Sequence, residues 1–225
     1  VVRSGLMDFV PTMLLTFKVS ILTTFLLLLI AIPLGYFLAF SKSKIVPFLE
    51  TIVSMPLVLP PSVLGFYLLI AFSPQNIFGK FLLETFGLKL VFSFEGLIVA
   101  SVIFSLPFMV NPIQAGFRSI PKSIFEAALT LGKGPLEILW RILLPNIKHS
   151  VLIGIIMPFA LTIGEFGVVM MIGGNIAGET RVASIAIYDE VESLNYALAH
   201  QYALILFIIT FCILLLTFYL NKKSA

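Results

Sequence analysis

Long apolar runs alternate with short charged segments along the chain. Five of the runs contain no Lys or Arg, and they cover residues 19–40, 45–72, 91–115, 150–172 and 202–220. Each is long enough to cross a hydrocarbon layer of roughly 30 Å as a helix, which takes about 20 residues. The runs are apolar on all sides and lack the alternation expected of membrane-barrel strands. The pattern therefore predicts an all-α integral membrane protein with five transmembrane helices.

The composition agrees with this architecture. Of the 225 residues, 60% are hydrophobic and 11% are charged, and the mean hydropathy is +1.12. This is more apolar surface than a soluble domain can bury. The formal net charge of +3 is explained by membrane topology, since no compact basic face with interleaved aromatics indicates a nucleic-acid partner. The single cysteine, Cys212, lies within the last run and is interpreted as a small apolar residue.

The basic residues predict the orientation, because Lys and Arg accumulate in short cytoplasmic loops. Three regions on the same side of a five-span path are rich in them, with Lys42, Lys44, Arg118, Lys122, Lys133, Arg141, Lys148, Lys222 and Lys223. We therefore expect the N-terminus outside and the C-terminus inside. No internal repeat or long linker divides the chain, so residues 1–225 are predicted to form a single membrane domain.

Two features predict how the first two spans are built. Ala31, Gly35 and Ala39 recur at every fourth position of span one, which lets another helix approach closely. That helix is expected within the chain, with a contact between two copies as the alternative. In span two three closely spaced prolines, at 56, 60 and 61, are incompatible with a continuous regular helix.

The proline stretch of span two has two interpretations. Irregular backbone is tolerated in a bilayer where protein or a watery cavity satisfies it, and broken helices often line transport paths. In the first interpretation Pro56, Pro60 and Pro61 line such a path together with the hydroxyl of Ser62. In the second, the stretch is a kink that only improves packing.

A short charged segment, residues 122–147, separates the third run from the fourth. Ser123 and Glu126 have the spacing of a capping box, which predicts a helix beginning at Ser123. This helix should stop at Gly132, which readily takes a left-handed conformation. A second helix is expected to begin with Pro135 in its first turn.

The helix pair in this segment indicates a docking surface. Ile124, Ala128 and Leu131 are expected to share one face of the first helix. Ala127 and the turn at residues 132–134 leave a low surface that a partner protein can approach. The chain contains no G-x-x-x-x-G-K-[ST] phosphate loop, so a separate ATPase is the expected partner.

The segment resembles the EAA loop of ABC importer permeases. The resemblance rests on Glu126-Ala127-Ala128, on Gly132 after three intervening residues, and on Ile142 with Leu144-Pro145. In that family the loop is the coupling helix that sits in a cleft of the cytoplasmic ATPase. The resemblance implies a coupling surface made of Ser123, Glu126, Ala127, Ala128, Gly132, Lys133, Gly134 and Pro145.

Three further stretches resemble the permease of molybdate ABC importers, and the similarity covers essentially the whole chain. They are residues 56–61, Gly164-Glu165-Phe166-Gly167 and residues 175–181. The related sulfate and tungstate permeases remain alternatives. The resemblance implies a bacterial or archaeal cytoplasmic membrane, a homodimer of permease chains, two ATPase subunits that use ATP and Mg²⁺, and an extracytoplasmic molybdate-binding protein. No cofactor is expected on this chain itself.

The outward loop after span four is expected to receive the loaded binding protein. The candidate docking residues are Asn175, Glu179, Thr180 and Arg181. The alternative is that they are ordinary solvated loop residues. His149 and His200 fall at span ends, where they are interpreted as interfacial residues and not as metal ligands.

Glu165 is the only acidic residue well inside a run, and an intramembrane ionisable group marks a functional site. A free carboxylate would repel an anionic cargo, so we expect a protonated or hydrogen-bonded group near a gate. The candidate pathway residues are Pro56, Pro60, Pro61, Ser62, Thr162 and Glu165. The runs hold no deep cationic trap, which suits weak binding and release, although the ordinary avoidance of charge by membrane spans explains this equally.

A different functional class is a stand-alone anion channel or an ion-coupled carrier. Such carriers commonly show intramembrane charge networks or inverted repeats. Neither is visible in this sequence, where Glu165 stands alone in its run. The sequence therefore favours a translocation subunit without catalytic residues, energised by a partner.

Overall fold

The computed structural model describes the backbone of residues 2–224 and the side chains of residues 9–215 and of Tyr219. Val1, Ala225 and the side chains of Lys222 and Lys223 lie outside the described residues. The described backbone is all-helical, with no β-strand. Its α-helices are α1 (Val2–Phe40), α2 (Val46–Val58), α3 (Pro61–Phe72), α4 (Ile77–Phe86), α5 (Phe94–Ser119), α6 (Lys122–Thr130), α7 (Pro135–Ile138), α8 (Leu144–Asn146), α9 (Lys148–Gly164), α10 (Gly167–Gly173), α11 (Ala183–Glu192) and α12 (Tyr196–Ser224).

The described part of the chain holds three to five candidate membrane spans. Phe9–Phe40 of α1, α5, and Tyr196–Leu215 of α12 are each long and apolar enough on their own. Two more are obtained if each bent helix pair counts as one span, namely α2 with α3, and Pro135–Asn146 with α9. The predicted number of five corresponds to the upper value.

The predicted interruption of span two is confirmed. α2 ends at Val58, α3 begins at Pro61, and the two helix axes differ by 116°. Leu59 and Pro60 have extended backbones, with ψ of 134° and 135°. Pro60 and Pro61 also have no backbone N–H with which to continue the helix. Pro56 behaves differently, because it lies buried inside α2 and the helix continues past it.

The fourth predicted span, residues 150–172, is not one continuous helix. α9 ends at Gly164, Glu165 is extended with φ −67° and ψ 132°, and α10 starts at Gly167. No proline marks this junction. The only local signal is the pair of glycines, which lowers helix propensity, so the apolar pattern alone predicts continuity.

α5 lies at the centre of the bundle, where it packs against α1, α2, α9 and α10. The small-residue stripe of α1 faces it. A Cβ added at Gly35 would lie 2.9 Å from Cγ2 of Ile113 on α5, and Ala31 is fully buried. The prediction that this stripe packs against another helix of the same chain is therefore confirmed.

The segment 122–147 is fixed to the spans by a shared apolar cluster. Ala128 of α6 and Ile138 of α7 are buried in the same cluster as side chains of α1, α2 and α5. A second cluster joins α3, α5 and α10 around Leu97 and Ile172. Because its inner face belongs to the first cluster, the segment packs as part of the helix bundle.

Candidate functional site

The junction between α9 and α10 holds a buried carboxyl group. Glu165 is 5% exposed, and its Oε2 accepts a hydrogen bond from Ser101 Oγ on α5 at 3.0 Å. Its Oε1 is buried without a hydrogen-bond partner among the described residues. The backbone carbonyl of Glu165 accepts a hydrogen bond from Ser184 Oγ on α11. Glu165 therefore ties the junction to α5 and α11.

Thr162 lies in the last turn of α9, three residues before Glu165, and it also faces α5. Its Oγ1 donates to the Pro158 carbonyl at 2.8 Å and lies 3.5 Å from Ser105 Oγ. Thr162 is only 4% exposed. The structure thus brings the predicted pathway residues Thr162 and Glu165 together, but it places both inside the helix bundle and away from its open surface.

The two helix interruptions touch each other. A Cβ added at Gly167 would lie 2.8 Å from Pro61 Cβ and 3.2 Å from Ser62 N, so the start of α10 packs directly on the start of α3. Gly65 gives α3 a similar close approach to α10 one turn later. Pro60, Pro61 and Ser62 keep an exposed side. Residues 60–62 and 165–167 together form what we call the junction site.

Replacing Gly167 by alanine should destabilise the junction site. The added methyl group meets Pro61 and the backbone of Ser62, and overpacking of this kind costs about 1–3 kcal/mol. Gly164→Ala is the matched control, because a Cβ there meets nothing within 4 Å. Thermal unfolding of the purified protein in detergent should show a lower Tm for Gly167→Ala alone. Equal Tm values for the two variants would contradict the close packing.

A polar stripe runs along the open side of α2. Glu50, Thr51 and Ser54 share one helical face with Met55 and Val58 and border a shallow groove of about 650 Å³. Val58 at the end of this groove is 85% exposed. A stripe that contains a carboxylate is poorly suited to lipid. We call this surface the α2 groove, and its carboxylate and two hydroxyls, set in a largely apolar lining, indicate contact with protein or water.

An ion pair closes one end of the α2 groove. Arg118 Nη2 donates to Glu50 Oε1 at 2.6 Å and to the Leu38 carbonyl at 3.2 Å, and Gln114 Nε2 also donates to Glu50 Oε1. These contacts join α1, α2 and α5 at the end of the bundle that carries the segment 122–147. The sequence interpretation missed Glu50. The signal was a carboxylate five residues into an apolar run, with Gln114 and Arg118 one turn apart on α5.

The first helix of the segment 122–147 starts differently from the prediction. Pro121 is the N-cap residue, α6 begins at Lys122, and no side chain makes a capping hydrogen bond. The predicted capping box of Ser123 and Glu126 is therefore wrong, because Pro121 turns the chain into the helix before Ser123. Glu126 is exposed, and its carboxylate makes no hydrogen bond or ion pair with the described residues.

The predicted glycine turn is confirmed. Gly132 has φ +70°, its N–H donates to the Leu129 carbonyl at 2.9 Å, and the Lys133 N–H donates to the Ala128 carbonyl at 3.1 Å. This pair of bonds satisfies the last carbonyls of α6 and ends a helix at a left-handed glycine. Pro135 then opens α7, as expected.

The solvent side of the turn is apolar. Leu131 and Leu136 on either side of it are 76% and 71% exposed, and Ala127 is exposed as well. Leu131 was expected to share a face with Ile124 and Ala128, and its N–H still donates to the Ala127 carbonyl at 3.1 Å, but at the end of α6 this face is no longer covered and only Ala128 is buried. The apolar turn surface, as we call it, consists of Ala127, Leu131, Gly132, Lys133, Gly134 and Leu136.

Lys133, the charged member of the apolar turn surface, pairs with Glu137, which also lies near Arg141. Lys133 Nζ donates to Glu137 Oε1 at 2.8 Å, and Arg141 Nη1 lies 3.4 Å from the same oxygen. The hydrogen bond from Lys133 holds the pKa of the Glu137 carboxyl below its ordinary value, and the charges of Lys133 and Arg141 act in the same direction. Pro145 is exposed in α8, beyond a π-helical turn at Leu139–Leu143.

Thr180 holds the loop between α10 and α11 from inside. Its hydroxyl donates to the Gly173 carbonyl at 2.7 Å and accepts from the Ile176 N–H at 3.1 Å. It is 0% exposed. The expectation that Thr180 offers a docking contact is therefore corrected, since its side chain shapes the loop and does not reach the surface.

The other predicted docking residues divide into two groups. Arg181 pairs with Asp189 on α11, and its side chain is 27% exposed. Asn175 and Glu179 are exposed. Asn175 and Glu179 are therefore the candidates that the structure leaves accessible, while Arg181 fixes the loop to α11.

The described residues offer hydrogen-bonding groups and no evident metal site. Among them, no group of three or more His, Cys, Asp or Glu side chains is placed to hold a metal ion. Buried hydroxyls surround the Glu165 junction instead, with Ser101 bonded to Glu165 and Ser105 close to Thr162.

Comparison with known proteins identifies the family. Residues 31–225 match the family described as the binding-protein-dependent transport system inner membrane component. The chain belongs to this family. It is therefore a multi-pass inner membrane permease, and it is the translocation component of its importer and not the ATPase.

Two relatives of this permease are named for molybdenum transport and for sulfate transport. The molybdenum transport system permease protein ModB of Azotobacter vinelandii is 44% identical over 190 residues, which is 84% of each chain. The probable sulfate transport system permease protein cysT of Zygnema circumcarinatum is 32% identical over 220 residues, which is 95% of this permease and 76% of the relative. Both similarities extend over most of the permease.

The permease also has the fold of solved ABC transporters. One is the crystal structure of a bacterial alginate ABC transporter in complex with an alginate pentasaccharide-bound periplasmic protein. A chain of it matches with a TM-score of 0.81 and 17% identity, covering 96% of this permease and 79% of that chain. At this identity the likeness shows the fold alone.

Proposed function

We propose that this permease is the membrane subunit of an ABC importer that moves molybdate from an extracytoplasmic binding protein into the cytoplasm. The assignment of molybdate as the substrate rests on the 44% identity, over 84% of the chain, with a permease named for molybdenum transport. The five apolar runs contain no Lys or Arg, so hydroxyls and backbone dipoles contact the cargo. Weak contacts of this kind suit a dianion that must be released.

Sulfate is the second candidate substrate. It is supported by the 32% identity with a sulfate permease over 95% of this chain, and sulfate, molybdate and tungstate are tetrahedral dianions of similar shape. Because the path lacks a cationic trap, the choice among them is assigned to the binding protein.

Competition between oxyanions tests the substrate. The permease is reconstituted with its ATPase and binding protein, and ATP-driven uptake of labelled molybdate is measured. Excess unlabelled molybdate or tungstate should suppress the uptake, and excess sulfate should leave it nearly unchanged. Robust uptake of labelled sulfate that excess molybdate fails to suppress would overturn the molybdate assignment while keeping the importer.

The end of the bundle that carries the segment 122–147 is assigned to the cytoplasm, with the N-terminus outside and the C-terminus inside. The excess of Lys and Arg at this end supports the assignment. A dimer of ATPase subunits, which uses ATP and Mg²⁺, binds the apolar turn surface. Leu131 and Leu136 are exposed there, while Ala128 and Ile138 anchor the segment in the core, so force on the surface passes directly to α1, α2 and α5.

A second copy of the permease covers the α2 groove. A polar stripe on a membrane span faces protein or water in preference to lipid, and Thr51 and Ser54 supply hydroxyls along it. Glu50 is the only carboxylate lining the groove, and its ion pair with Arg118 neutralises a charge that would otherwise repel a dianion. Two such grooves facing each other enclose the path.

Cysteine cross-linking tests this arrangement. Cys212 is exposed, so the variants are made in a Cys212→Ala background. Ser54→Cys should give a cross-linked dimer when membranes are treated with a short bifunctional thiol reagent, because Ser54 borders the α2 groove. Val53→Cys is the matched control, since the neighbouring Val53 is 5% exposed and faces the core. A dimer band of equal strength for both variants, or for neither, would contradict the proposed interface.

Alternating access follows from these contacts. ATP-driven closure of the ATPase pair brings the two apolar turn surfaces together and tilts the spans to open outward. The loaded binding protein docks on the exposed loop residues Asn175 and Glu179 and releases its oxyanion. Hydrolysis then reopens the cytoplasmic side. The junction site, where two broken spans meet, acts as the flexible gate region.

A further inference from the structure

α4 is a short helix with a large exposed apolar side. Ile77, Phe78 and Phe81 are 89%, 51% and 52% exposed. The main packing partner of α4 among the described helices is α3. The helix connects the end of α3 to the start of α5. It therefore lies at one end of two predicted membrane spans. An apolar surface of this size next to two spans needs a partner.

The orientation of α4 is fixed by its contact with the end of α3. A Cβ added at Gly79 would lie 2.2 Å from the Ser73 carbonyl oxygen and 2.4 Å from that of Phe72. The side chain of Asn76 donates to the Ile70 carbonyl at 2.7 Å, which satisfies an acceptor at the end of α3. The helix therefore cannot roll its aromatic side inward without breaking these contacts.

The side chains of α4 divide into three sectors. At about 100° per residue, Ile77, Phe78 and Phe81 share one sector, while Gly79 faces α3. Lys80 and Glu84 occupy the third sector, where they form an ion pair at 3.7 Å with side chains 63% and 65% exposed. The apolar sector thus has a charged, solvated sector beside it and a protein contact on its other flank.

We propose that α4 lies in the bilayer interface and that its partner is lipid. Interfacial helices place an apolar face about 5–10 Å into the boundary between headgroups and acyl chains and keep their charged face in water. α3, which leads into α4, keeps the large apolar side chains Phe66, Tyr67 and Ile70 exposed, so the apolar sector of α4 continues an exposed apolar surface. The Lys80–Glu84 pair carries no net charge, and so it offers no electrostatic complement to a protein partner. Under the proposed orientation this is the outer leaflet.

The anchor has a consequence for the broken span. α3 is joined to α4 at one end and begins at the break after α2 at the other. A helix held at the interface fixes the depth of α3 in the membrane. Movement of α2 is then taken up at Leu59 and Pro60, where the backbone is already extended.

Spin-label accessibility tests the lipid contact. Phe81→Cys, Phe78→Cys and Lys80→Cys are each made in the Cys212→Ala background, and the intact permease–ATPase complex is labelled in nanodiscs. Labels at 81 and 78 should collide often with oxygen and rarely with a water-soluble nickel complex, and the label at 80 should show the reverse. The use of two apolar positions keeps the test valid if one variant fails to fold.

Three outcomes would overturn the proposal. Equal nickel accessibility at 80 and at both apolar positions would place the whole helix in water. Immobile labels at 78 and 81 with low accessibility to both reagents would indicate a second copy of the permease as the partner. Loss of oxygen accessibility at 78 and 81 on addition of the binding protein would indicate a protein docking surface.

Discussion

Replacing Gly132 by valine is expected to abolish ATP-driven uptake. Gly132 has φ +70°, and a left-handed conformation costs a residue with a side chain roughly 1–2 kcal/mol, more for a β-branched one. The turn then relaxes to another conformation and separates Leu131 from Leu136. Loss of central apolar contacts at an interface costs about 2 kcal/mol or more, which is about thirtyfold in affinity for the ATPase.

The measurement is recovery of the ATPase with the tagged permease from membranes, together with uptake in reconstituted vesicles. Gly87→Val is the matched control, because Gly87 also has a positive φ of 65° with nothing within 4 Å of an added Cβ, but it ends α4 and lies outside the apolar turn surface. The control should keep normal recovery of the ATPase and normal uptake. Normal ATPase recovery and normal uptake by Gly132→Val would contradict the role of the apolar turn surface in coupling.

Changes at Glu165 should separate its size and hydrogen bonding from its charge. Glu165→Leu is expected to lose most uptake, because it leaves the buried hydroxyl of Ser101 without its acceptor, and an unsatisfied buried group costs about 1–3 kcal/mol. Glu165→Gln keeps an acceptor oxygen for Ser101 and removes only the ionisable group. It should retain much of the uptake if the carboxyl acts as a neutral hydrogen-bonding group.

The two Glu165 variants are compared at equal amounts of folded complex, measured by size-exclusion chromatography. Gln near the wild-type rate and Leu far below it would support a neutral role at the gate. Complete loss of uptake in Glu165→Gln, with normal folding and ATPase recovery, would exclude that role. The site would then need a charged or proton-exchanging carboxyl.

Much of the architecture could be predicted from the sequence, because single residue types determine the backbone at the key positions. The apolar runs located the candidate spans, Pro60 and Pro61 located the break between α2 and α3, and Gly132 located the turn. In each case a single residue type controls the backbone, either by lacking an N–H or by tolerating positive φ. The close packing of α1 at Gly35 followed in the same way from the absence of a side chain.

The remaining features depend on residues that are distant in sequence or on competing local signals. Glu50 and Arg118 are 68 positions apart, and no periodicity connects them. Thr180 is buried because its hydroxyl donates a hydrogen bond to the Gly173 carbonyl. It therefore stabilises the loop from inside and is not the exposed docking residue that the sequence suggested. At the start of α6 the capping pattern of Ser123 competes with Pro121, and the proline sets the boundary.

The central claim is that this permease carries its oxyanion only when a separate ATPase drives it through the segment 122–147. Its most direct test is labelled molybdate uptake into vesicles that contain the purified permease, with the ATPase, ATP and the loaded binding protein added or omitted one at a time. Uptake should require all three additions. Sustained molybdate flux through the permease alone would contradict the claim and identify the chain as a channel or carrier.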